Sequence, residues 1–147
     1  MSTYSCLYFH LVFGTKHREP SIEASWRSRL HDYLGGTARG LDATPLGIGG
    51  TADHVHLLLR LKPVHRLSDL MREIKKASSQ WVHETVPLPS FAWQDGYGAF
   101  SVAASDTESV RTYIANQEEH HRTKTFREEF EMFLKKAGIE YDPKYLP

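Results

Sequence analysis

The 147 residues are 40% hydrophobic and 24% charged, ordinary values for a globular chain with enough apolar surface to bury a core without staples. Lys plus Arg (18) balances Asp plus Glu (18), which excludes a histone-like cationic coat, and the single cysteine, Cys6, excludes a disulfide framework or a multi-cysteine zinc site. No run of about 18 apolar residues is present to span a membrane, and the N-terminal MSTYSCLYFHLVFGTKHREP lacks the basic lead-in of a signal peptide, so a cytoplasmic domain is expected.

From Tyr4 to Thr15 the chain is aromatic and β-branched, with Leu7, Phe9, Leu11 and Phe13 spaced by two, the period of a strand with one buried face. Cys6 in that run reads as a buried, inert thiol. Pro20 and Ser21 open a helix over about 22–39, with Trp26, Leu30, Tyr33 and Leu34 at helical spacing. Residues 41–49 and 53–61 read as two strands joined at Gly49-Gly50-Thr51, the second carrying HVHLLLRL. Ser68 with Asp69 caps a helix running to about His83, with Leu70, Ile74, Ala77 and Trp81 on one stripe. A proline-marked loop leads to a short strand at 99–103. A helix follows from Asp106 or Thr107 to about His121, and a last amphipathic one covers 126–137. The order β-α-β-β-α-β with additional C-terminal helices predicts one α+β domain over 1–147, a ferredoxin-like antiparallel sheet.

Several side chains could carry chemistry. His54 and His56 flank Val55 on the strongest strand and so share a face, where two imidazoles can grip one metal ion or simply form ordinary hydrogen bonds. Tyr113, Gln117 and either His120 or His121 lie three or four residues apart, hence on one helical face, while Val110 and Ile114 anchor the helix through another. Basic residues cluster at Lys16-His17-Arg18 and at Arg72, Lys75 and Lys76, the latter on one face of the third quarter's helix, suited to a phosphate backbone or to plain solvation. Glu118, Glu119, Glu128, Glu129 and Glu131 are expected elsewhere on the surface. No phosphate-binding glycine loop and no serine nucleophile elbow is present.

Taken together, YSCLYFHLVFGTKHR, TADHVHLLLRL, IKKASSQW, FAWQDGYGAFSV and YIANQEEHHRTKTFREEF, in that order, resemble the single-tyrosine HUH transposases of the insertion-sequence-200-like family, including the REP-associated tyrosine transposases. The resemblance implies a metal-dependent enzyme that cleaves and rejoins single-stranded DNA, with a hairpin, through a 5′-phosphotyrosine. It implies Tyr113 as nucleophile, His54 and His56 as metal ligands, and Gln117 as third ligand with His120 and His121 as rivals. It also implies a Mg2+ or Mn2+ cofactor and a homodimer. The competing readings are a catalytically silent nucleic-acid-binding module on the same fold and a metal-dependent hydrolase that does not use the tyrosine.

Overall fold

Alternation of side chains along two strands decides the architecture. In the computed structural model, which describes residues 2–147, strand β1 (Tyr8–Gly14) turns Leu11 and Phe13 to one face and His10 and Val12 to the other. Strand β3 (His54–Arg60) does the same, with Val55, Leu57 and Leu59 opposed to His54, His56 and Leu58. The two pair antiparallel, with Phe13 opposite Val55, Val12 opposite His56 and Gly14 opposite His54. Strand β2 (Thr44–Gly50) flanks β3 and strand β4 (Gly98–Val102) flanks β1, giving the antiparallel order β2-β3-β1-β4. This is the ferredoxin-like arrangement the pattern predicts.

Helices α1 (Ala24–Gly40) and α2 (Leu67–Thr85) cover the first face, where Trp26, Leu30, Leu34, Leu70, Ile74 and Val82 join Leu11, Phe13, Val55, Leu57 and Leu59 in the main core. Each large apolar side chain fully buried there contributes roughly 1.5–3 kcal/mol. Helices α3 (Thr107–Ala115), α4 (Gln117–His120) and α5 (Phe126–Lys136) close the histidine face, with Phe126, Phe130 and Leu134 packed on Val12. The start of α5 is fixed by Thr125 and Glu128, whose side chains reciprocally satisfy each other's backbone N–H groups. Among the described residues, no helix is long and apolar enough to cross a membrane.

Three local expectations change. β1 begins at Tyr8 because its ladder ends there opposite Arg60; Cys6 lies before it and is exposed, not a buried thiol. α2 starts at Leu67 with Arg66 at the cap and no capping side chain, so Ser68 and Asp69 sit inside the first turn, where Asp69 still favours the positive helix end. The helix expected to run to about His121 breaks at Asn116 (φ −101°, ψ 23°), whose N–H is shared by the Thr112 and Tyr113 carbonyls.

The approach of α3 to the sheet depends on Gly49. A Cβ at that position would lie 2.3 Å from the carbonyl oxygen of Ile114, a backbone atom that cannot swing aside. Gly49→Ala is therefore expected to cost about 3 kcal/mol, read as a fall in Tm of roughly 10 °C. A thermal melt within roughly 2 °C of wild type would show that α3 does not need this contact.

Candidate active site and metal centre

His54 and His56 leave the same face of β3 and are both fully buried. Over them converge Tyr113 from α3, Gln117 from α4, His121 from the turn after it, and Glu129 from α5. The opposing glycine of β1 makes room for α5: a Cβ on Gly14 would lie 2.7 Å from the Phe126 ring, which stacks on His54 at 4.4 Å between centroids. Glu129, 0% exposed, is the hub. Its Oε1 lies 2.9 Å from His56 Nε2 and 3.7 Å from His54 Nε2. Its Oε2 accepts hydrogen bonds from the Tyr113 hydroxyl and from the Gln117 amide N–H at 3.2 Å, and sits 3.1 Å from His121 Nε2. Gln117 Oε1 is 2.9 Å from His54 Nε2.

Outer partners decide where the protons are. His54 Nδ1 is 2.7 Å from the Asp53 carboxylate, which only accepts, so Nδ1 carries a proton and Nε2 is the nitrogen turned inward. His121 Nδ1 donates to the Lys124 carbonyl at 2.6 Å, leaving Nε2 buried without a hydrogen-bond partner. His56 Nδ1 is 2.7 Å from His10 Nε2, and its Nε2 faces Glu129 Oε1. Imidazole nitrogens, an amide oxygen and a carboxylate thus face one another, a donor set that a cation completes. One donor atom each from His54, His56, His121 and Glu129 lies within 4.8 Å of the others. Ligands about 2.1 Å from an ion are about 3.0 Å apart as neighbours and about 4.2 Å apart across it. The residues fit a divalent metal.

The electrostatics agree. Burial lowers His56 to about 4 and, with the charge of His56, His10 to about 3, so both are neutral at neutral pH, the form that binds metal. Burial raises the Glu129 carboxyl, but His121, His56 and Tyr113 around it outweigh burial and keep it ionised, far below the usual carboxylate range. Burial, and then the neighbouring Glu129, push the Tyr113 hydroxyl above the usual phenol range. Without a nearby cation that hydroxyl is a poor nucleophile.

Of the residues singled out in the sequence, Tyr113, His54, His56 and Gln117 come together within one chain. His121 lies deeper in the cluster than His120, whose Nε2 is 3.6 Å from Glu129 Oε2. Lys16 and Arg18 are exposed on the turn after β1. Arg18 joins Arg27, Arg122 and Lys124 around a groove of ≈ 590 Å³ that reaches Asp53 and His121. Arg72, Lys75 and Lys76 ride on α2, across the sheet from the histidines. There the Lys75 ammonium donates to the carbonyls of Gln94 (2.6 Å) and Gly96 (2.8 Å), and Arg72 pairs with Asp69 at 3.2 Å. Glu129 overturns the expectation of a surface carboxylate. Its signal was its place in the stripe Phe126, Glu129, Phe130, Phe133, a charge among apolar residues at helical spacing. His10 was also missed; it alternates onto the histidine face of β1.

The profile of the family described as transposase IS200-like matches residues 3–117. The ISDra2 transposase TnpA of Deinococcus radiodurans is 25% identical over 119 residues, 76% of this chain and 84% of that one. The transposase for insertion sequence element IS200 of Salmonella typhimurium is 26% identical over 125 residues, 81% of each. A crystal structure of a proposed transposase from Deinococcus radiodurans superposes with a TM-score of 0.66 at 25% identity, covering 80% of this chain and 95% of that one. A REP-associated tyrosine transposase bound to a REP hairpin shares the fold at a TM-score of 0.61 and 17% identity, covering 82% and 74%.

Proposed function

The chain belongs to the IS200-like transposase family, and from that membership we propose that it cleaves and rejoins single-stranded DNA, metal-dependently, through a 5′-phosphotyrosine on Tyr113. The observation that carries the reading is the Tyr113 hydroxyl directed at a buried cluster of histidines and a carboxylate that fits a cation. In the reaction the Tyr113 oxygen bonds to the scissile phosphorus as the bond to the 3′ oxygen breaks, leaving a 3′ hydroxyl and a phosphodiester to tyrosine. Attack by a 3′ hydroxyl reverses the step and rejoins DNA, so no nucleotide cofactor is consumed. His54, His56 and Gln117 would hold a divalent ion, Mg2+ or Mn2+, which would supply positive charge to the phosphate oxygens. Asp53 and His10 hold the ligand imidazoles in orientation, and Glu129 Oε2 receives the Tyr113 proton's hydrogen bond. Because His54, His56 and Glu129 are all solvent-inaccessible, entry of a phosphate has to displace part of the α4–α5 cover.

The DNA partner fits the groove of Arg18, Arg27, Arg122 and Lys124, which leads to His121. A hairpin is the proposed recognition feature, as in the REP-associated relative. Arg72 and Lys76, exposed on α2, are proposed for a second stretch of backbone, with Lys75 tethering the 94–96 loop beneath them. Replacing Lys16 and Arg18 together by Ala is expected to lower the slope of log affinity against log salt by roughly 1.4, two single-strand phosphate contacts at about 0.7 each. An unchanged slope in a filter-binding titration places the strand elsewhere. A homodimer is part of the proposal.

The reading is tested by incubating the protein with labelled single-stranded hairpin DNA and Mn2+, then running denaturing electrophoresis. A labelled band at the mass of protein plus DNA, lost in EDTA, is expected. Hairpin binding without any adduct would make the chain a binding module instead.

A further inference from the structure

We infer that His121 and Glu129, both beyond residue 117 where the family match ends, are ligands of the same metal, so that the ion staples α5 to the sheet. The inference rests on the reading that His54 and His56 hold a divalent ion. His121 Nε2 is the decisive atom: it is buried, it points at a Glu129 oxygen from 3.1 Å, and the other ring nitrogen is taken by the Lys124 carbonyl, so this nitrogen is the one that can turn to a cation. The 3.1 Å gap between that nitrogen and the carboxylate oxygen calls for a positive charge, and a divalent ion can take the place of a proton there. Glu129 faces a second imidazole from the other side, its Oε1 lying 3.7 Å from His54 Nε2. A carboxylate that is 0% exposed and so far from solvent needs a compensating charge in any case.

Three imidazoles with a carboxylate make a nitrogen-rich set, in which Gln117 supplies a neutral oxygen beside them. Such a set selects Mn2+, Zn2+ or a neighbouring transition ion over Mg2+, which prefers all-oxygen surroundings and keeps its water. The geometry also couples metal to fold. α5 touches the sheet through the small apolar cluster of Phe126, Phe130 and Leu134 on Val12, and the ion adds a second attachment between α5 and β3.

The test follows metal uptake directly, with no DNA present. Mn2+ is titrated into wild type, Glu129→Gln, His121→Gln and His54→Gln, reading the loss of the free-ion paramagnetic resonance signal. The expected result is at least tenfold weaker uptake in Glu129→Gln and in His121→Gln, and none in His54→Gln. In wild type, Mn2+ is also expected to slow amide hydrogen exchange across 126–136 by about tenfold, because an ion that binds only the docked state stabilises docking; this measurement does not depend on any variant folding. If Glu129→Gln takes up Mn2+ as tightly as wild type, or Mn2+ leaves exchange in wild-type α5 unchanged, the inference is overturned while loss of uptake in His54→Gln keeps the metal reading. If wild type itself takes up no Mn2+, the metal reading fails and takes the inference with it.

Discussion

Tyr113→Phe is expected to abolish the covalent protein–DNA adduct and to lower strand cleavage by at least about 10⁴-fold, the scale on which removal of a nucleophile is felt. The substitution deletes one oxygen and leaves the ring in place against His56, 5.9 Å away between centroids, and against Phe133 at 5.8 Å. Glu129 loses one hydrogen-bond donor but keeps the Gln117 amide and the His56 and His121 contacts, so the cost to stability is about 1 kcal/mol. DNA binding and Mn2+ uptake should stay within about twofold, since the hydroxyl is neither a phosphate contact nor a metal ligand. Tyr97 is the other tyrosine in a loop able to approach DNA, yet its ring packs against the main core under α1 and α2, on the side of the sheet away from the histidines. An adduct that survives Tyr113→Phe and disappears in Tyr97→Phe would reverse the assignment.

How much of this was legible in the sequence follows from the range of each interaction. The sheet was readable because a period of two is local: Leu11 and Phe13, and His54 and His56, are assigned to faces without knowing any partner strand. The face shared by Tyr113 and Gln117 survived the break at Asn116 because helical geometry resumes at once, with the His121 N–H bonded to the Gln117 carbonyl. Glu129 was not readable in the same way. Its meaning comes from His56, 73 residues away along the chain, and in FREEFEMF it stands among two other carboxylates, Glu128 and Glu131, and aromatic neighbours. Only the observation that it falls in the apolar stripe, where Glu128 and Glu131 do not, separates it from them. The position of the α2 cations was not readable for the complementary reason: a helical face identifies neighbours on one helix but not the side of the sheet on which that helix packs. Lys75 could not be known as a loop tether before Gln94 and Gly96 were placed against it.

His54→Ala and His56→Ala are each expected to weaken divalent-metal binding by more than about 10²-fold, because even the outer partners of metal ligands are worth about 10–100-fold, and to eliminate cleavage with it. The two should differ in their structural consequences. His54 is sandwiched between the Phe126 ring at 4.4 Å and the His121 ring at 4.4 Å, and its removal leaves Asp53 with Thr51 alone and the Gln117 side-chain oxygen without its imidazole contact. His56 is tied to His10 and Glu129, and its removal frees one buried ring and one buried carboxylate. Each change opens a cavity beneath α5 while sparing the core of Leu11, Phe13, Leu57 and Leu59 on the other face, so a loss of about 2–3 kcal/mol is expected without loss of the fold. Circular dichroism and a thermal melt check the second half of that statement, and an Mn2+ titration with the hairpin cleavage assay checks the first. Adding excess Mn2+ should not restore cleavage to His56→Ala, since the missing nitrogen is not replaced by concentration alone. Unimpaired cleavage by either variant in EDTA would remove the metal from the reaction and leave Tyr113 to act on the phosphate with protein groups only.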